Sequence, residues 1–212
     1  MSKFTEGIVT TCLAELATFE QGKLLEDDAK VYKRVGEYWQ AIPVLGIDGR
    51  TKQKGKNGKF FNPAWSAAFI SFVARASGAG KKFHYAEAHC HYVEYFRKAA
   101  SENLGGKAYC ALDPYSVAPR VGDIVCAGRE YAANLTFQQA ELAYKADRFY
   151  PSHSDFVVEV NTTKGYLRTI GGNVGSSVRE KQIQISNSGK LIDRIEGSKV
   201  LPWLALLRCQ IA

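Results

Sequence analysis

The chain has 212 residues, 46% of them hydrophobic and 23% charged, with 28 basic against 21 acidic side chains and a formal net charge of +7. This balance excludes an intrinsically disordered chain, and no run of 18 apolar residues is present to span a membrane. Five cysteines without a C-x-x-C pair read as reduced, mostly buried thiols, not as a disulfide framework.

The residues Met1 to Glu6 carry no apolar segment of the secretory type. Synthesis in the cytoplasm is therefore expected, with any delivery to the periplasm or outside made by a dedicated system. Apolar residues at helical spacing (Phe4, Ile8, Cys12, Leu13, Leu16, Phe19) predict an amphipathic helix over 4–19. A second helix is predicted over 30–41, with Val31, Val35, Tyr38 and Trp39 on its apolar side. Residues 43–62 read as a loop in which five of the ten positions from Arg50 to Lys59 are basic. Such a loop is either a solvated, mobile segment or an attractor of polyanions. No aromatic-interleaved RNA motif accompanies it, so nucleic acid is not an expected partner.

The clearest helix covers 63–77. Asn62 suits an N-cap and Pro63 a first turn. Trp65, Ala68, Phe69, Phe72, Val73 and Ala76 then make one apolar face, and Gly78 and Gly80 stop it. A further helix over 85–101 carries His89, Cys90 and His91. Adjacent residues point in different directions, so these three do not suit one metal ion, and neither metal nor cofactor is expected. A strand at 122–127, a helix at 136–147 and strands at 156–160, 166–170, 178–185 and 200–211 follow. Helices first and strands later imply an α+β fold in which a central helix packs on an antiparallel sheet. One domain is expected, with residues 1–60 as an N-terminal helical extension and basic loop and 61–212 as the core.

Three polar residues stand at the ends of these elements. Ser66 lies in the first turn of its helix, where free N–H groups and the helix dipole favour developing negative charge. A serine nucleophile needs a general base, and His153 at the start of a strand is the first choice, with His89 the second. Asn173, after Gly171 and Gly172, is placed to orient the histidine; Asp155 shares a strand face with His153 but is displaced along it. Trp65, Tyr38 and Trp39 are candidates to line the cleft, and Arg129 to hold a substrate carboxylate. Each has a plainer reading as packing, turn or hydrogen-bonding residue.

Four motifs carry a resemblance: Pro63-Ala-Trp-Ser-Ala-Ala-Phe-Ile-Ser, Pro119-Arg-Val-Gly-Asp-Ile-Val, Ser152-His-Ser-Asp-Phe-Val-Val and Ile170-Gly-Gly-Asn-Val. Together with Glu15 and Tyr38-Trp39, they resemble a bacterial family of unknown function that is itself similar to the CHAP and NlpC-type papain-like cysteine peptidases. In those peptidases the Trp65-Ser66 step is Trp-Cys. The resemblance implies a papain-like core with its cleft between central helix and sheet. It implies amide hydrolysis, most often in peptidoglycan peptides, with Ser66 at the nucleophile position, His153 as base and Asn173 as orienting residue. A phage lysin or an antibacterial effector, with a secretion apparatus or an immunity protein as partner, fits that chemistry. A catalytically silent peptide- or glycan-binding module on the same fold, and acyl transfer on lipids, are the alternatives.

Overall fold

The computed structural model describes residues 1–55 and 57–212. Lys56, one of the five basic residues of the 50–59 loop, lies outside the described residues. The fold is mixed α+β. Helix α1 (Lys3–Thr18), α2 (Tyr32–Gln40), α3 (Ser66–Ala76), α4 (His89–Ser101) and α5 (Phe137–Asp147) accompany three antiparallel sheets. The main sheet has six strands, ordered β3 (Tyr109–Leu112), β10 (Ala205–Cys209), β4 (Ile124–Gly128), β5 (Ser152–Asn161), β6 (Tyr166–Gly171) and β7 (Arg179–Gln184). A hairpin of β1 (Gln53–Lys54) and β2 (Phe60–Phe61) stands inside the segment expected as loop. A second hairpin joins β8 (Arg194–Glu196) to β9 (Lys199–Leu201).

Alternation along β5 divides the interior. Phe156 belongs to the large apolar cluster shared with the helices, while Val157 belongs to a smaller one on the opposite sheet face with Val125, Leu167, Trp203 and Leu206. The expected N-terminal extension is no appendage: Phe4, Ile8, Cys12 and Leu16 of α1 and Val35 and Tyr38 of α2 enter the same cluster as α3. At roughly 25 cal/mol per Å2 of apolar surface removed from water, each such fully buried side chain contributes about 1.5–3 kcal/mol.

Two helix starts differ from the sequence reading. α3 begins at Ser66, with Trp65 at the cap position making no side-chain bond to the helix's own N–H groups. Asn62 does not cap it; its amide instead donates to the buried Glu26 carboxylate. α4 begins at His89, because residues 85–88 are not helical. Both changes bring a polar side chain to the first residue of a helix, at the same place in the fold.

Candidate active site

Ser66 and His89, the first residues of α3 and α4, meet directly. The Ser66 hydroxyl lies 2.6 Å from His89 Nε2. On its other side, His89 Nδ1 shares a hydrogen bond with the Tyr92 hydroxyl, one turn further along α4. Burial pushes the His89 imidazolium well below the usual histidine range, and His153 beside it adds to the effect. A neutral His89 that accepts from Ser66 on Nε2 carries its proton on Nδ1 and donates it to Tyr92. Hydroxyl, imidazole and phenol thus stand in one hydrogen-bonded line, the arrangement an activated nucleophile would require.

His153 is adjacent but separately bonded. Its ring centroid is 5.4 Å from that of His89, with the rings edge to face. Its Nε2 is 3.1 Å from Asp155 Oδ1, and Asp155 Oδ2 is 2.6 Å from Lys181 Nζ. Burial works to raise the Asp155 carboxyl, but Lys181 and His153 outweigh it and hold the group well below the usual carboxylate range. His153 Nδ1 is buried without a hydrogen-bond partner among the described residues.

The orienting residue of His153 is therefore Asp155, which the sequence reading ranked behind Asn173. Asn173 is half-buried in a left-handed turn at φ 57° and makes no hydrogen bond with either ring among the described residues. What the glycines before it supply is room. A Cβ on Gly171 would sit 1.8 Å from Asp155 Oδ1, and one on Gly172 would sit 2.5 Å from Phe69 Cβ. The pair lets β6 close against the His153–Asp155 couple and against α3.

A cleft of about 840 Å3 lies beside this centre, with Arg129, His153, Asp155, Lys181, Arg194 and Trp203 among its walls. Arg129 is exposed there. Trp65, Tyr38 and Trp39, proposed from sequence as cleft residues, are core instead, with 1%, 0% and 5% of their surface exposed. Tyr38 and Trp65 stack at 5.5 Å, Tyr38 donates to Glu15 at 2.5 Å, and the Trp65 indole donates to Glu26 at 2.5 Å. The polar atoms of Tyr38 and Trp65 are spent on buried carboxylates, so the aromatic body packs and the polar tip is satisfied, whereas the buried Trp39 indole N–H has no partner among the described residues. His91 turns away to Tyr144 at 3.1 Å, which separates it from His89.

Sequence reasoning missed Lys181, Tyr92 and Glu26. Lys181 sits on a mostly exposed strand and reaches Asp155 only because β5, β6 and β7 are neighbours. Tyr92 carried a usable signal, since the spacing His89 to Tyr92 puts both on one helix face.

Residues 26–209 match a family described as an uncharacterized protein conserved in bacteria (DUF2272). The chain belongs to that family. The match takes in Ser66, His89, His153 and Asp155, so the whole constellation falls within the family's extent. Among curated proteins and among solved structures, no significant match is found.

Proposed function

We propose that this member of the family is an acyl hydrolase on a papain-like core, with Ser66 as nucleophile, His89 as its general base and an amide of peptidoglycan peptides as substrate. The observation that carries the reading is the 2.6 Å contact between Ser66 and the neutral, oriented ring of His89. The substrate class rests on the likeness of the four motifs to CHAP and NlpC-type peptidases.

The chemistry follows from the positions. His89 Nε2 takes the Ser66 proton as Oγ attacks the carbonyl carbon. The first N–H groups of α3 lack intrahelical partners and face the developing oxyanion. Collapse releases the amine and leaves an acyl-serine, which water hydrolyses. A serine in the usual place of a thiol depends on this base, because the hydroxyl is far less acidic.

The test is digestion of purified peptidoglycan with product analysis by mass spectrometry. Wild-type protein should release fragments with new amine and carboxyl ends, and Ser66→Ala should release none. Absence of new ends from wild type overturns the reading.

A second reading has its own support. Ser66 and His89 are only 6% and 4% exposed, and neither belongs to the cleft wall. A peptide- or glycan-binding module would use the cleft without turnover, and its affinity would survive Ser66→Ala.

A further inference from the structure

The Ser66–His89 pair leaves a second histidine without a task, and its surroundings are specific. His153 stands between the serine centre and the cleft, touching His89 on one side and forming cleft wall on the other. Its Nε2 is committed to Asp155, which Lys181 fixes in turn. Gly171 supplies the space that this couple occupies. The remaining ring atom, Nδ1, is buried and has no partner among the described residues. An unsatisfied buried polar atom costs about 1–3 kcal/mol and calls for an explanation, a catalytic role being one, and here the atom belongs to a ring that is also cleft wall.

We propose that the two histidines divide the proton transfers: His89 serves the serine, and His153 Nδ1 serves the leaving group. The proposal rests on the acyl-hydrolase reading given above. In acylation, the Ser66 proton passes to His89 Nε2 while the Oγ–carbon bond forms. The carbon–nitrogen bond then breaks, and the departing amine nitrogen takes a proton from Nδ1 of the His153 imidazolium. In deacylation, water gives a proton to Nδ1 as its oxygen bonds the acyl carbon. His89 returns its proton to Ser66 as the ester bond breaks. Both rings end in their starting states, and the sum is one amide plus one water giving one acid and one amine. The Asp155 carboxylate, held by Lys181, engages Nε2 and so fixes the ring with Nδ1 left for the leaving group.

This arrangement differs from a single-histidine site, in which one ring performs both transfers. Its signature is dependence on the leaving group. An amine leaves only with a proton, whereas p-nitrophenolate leaves without one. The experiment compares wild type, His89→Gln, His153→Gln and Asp155→Asn on p-nitrophenyl acetate and on an amide substrate taken from peptidoglycan digests. Acylation of Ser66 by a fluorophosphonate is followed by intact mass, and circular dichroism verifies folding. His153→Gln should lower the acylation rate on the amide about 100-fold more than the first-turnover burst of p-nitrophenolate, the range expected for loss of one general acid, because deacylation uses His153 with either substrate. Asp155→Asn should follow it in direction. His89→Gln should abolish fluorophosphonate labelling and both turnovers. If His153→Gln removes ester and amide acylation alike while His89→Gln still labels, His153 is the sole base and the division of labour is wrong. A wild type inert to fluorophosphonate, ester and amide removes the hydrolase reading itself, and this proposal with it.

Discussion

A missing methyl group decides whether Asp155 can reach His153. The position that a Cβ of residue 171 would take is 1.8 Å from the Asp155 carboxylate, so any larger residue displaces the acid from both of its partners. Gly171→Ala should therefore cost about 3 kcal/mol in urea-induced unfolding, the scale for breaking a buried ion pair by moving one member. A midpoint equal to that of wild type would show that the carboxylate can shift without loss. From sequence, Gly171-Gly172 reads as a turn signal, and Asn173 as the residue that matters. The glycines serve close approach as well, which no local pattern encodes, because the atoms they admit come from β5 and α3. Asp155 was visible at its correct position two residues from His153. Its bond to the ring depends on side-chain reach, which strand periodicity alone does not give.

Elements place Ser66. The apolar face of α3 is legible in Trp65, Phe69, Val73 and their neighbours, but its first residue is set from outside the helix. Glu26 is 4% exposed, and its two carboxylate oxygens accept from the Trp65 indole and the Asn62 amide. That clamp holds residues 62–65 out of the helix and leaves Ser66 as the first helical residue. The local rule favouring Asn62 as a cap loses to a contact 36 residues distant. Glu26→Gln preserves shape but replaces one acceptor with a donor. It should lower stability by about 1–3 kcal/mol through one unsatisfied buried N–H. The tryptophan bands of the near-ultraviolet circular dichroism report the change; an unaltered spectrum and midpoint would show that Glu26 does not hold the turn. α4 was likewise expected to start four residues early, since Tyr85 to Ala88 contain good helix formers and no stop signal. The earlier start would have put His89 in the second turn.

At the scale of the molecule, acid acts on this centre in two windows. His89 is held neutral in the fold, with His153, Asp155, Arg129 and Lys181 as the charged or titratable groups that act on it. Below the usual histidine value of about 6.5, the unfolded chain binds a proton there that the folded chain refuses. Stability therefore falls as pH drops below that value, by at most about 1.4 kcal/mol per pH unit, until His89 protonates in the fold. Asp155 has the opposite ionisation but the same sign of effect. Its depressed value gives stability that is complete above the usual carboxylate range and is lost as pH falls through the folded value. Urea unfolding between pH 7 and pH 5 should show the first loss, and His89→Gln should flatten it. A slope that survives this substitution assigns the effect elsewhere.

The α+β class, the antiparallel pairing and the main helices were legible from periodicity. Strand order was not, because β10 pairs with residues far back in the chain. The apolar run over 200–211 looked like one strand. Pro202 divides it into β9 and β10, since proline brings no N–H to a ladder.

The seat of β10 between β3 and β4 also governs assembly in time. On the ribosome, β3 and β4 are synthesised long before the segment that zips them together; β4, once paired with β5, waits with one bare row of amide and carbonyl groups, and β3 waits with no strand partner at all. A growing chain is thus exposed to edge-to-edge sticking with its neighbours through the later half of translation. Closure of the sheet is a late, long-range event in the making of this protein, although the helices that carry Ser66 and His89 emerge early.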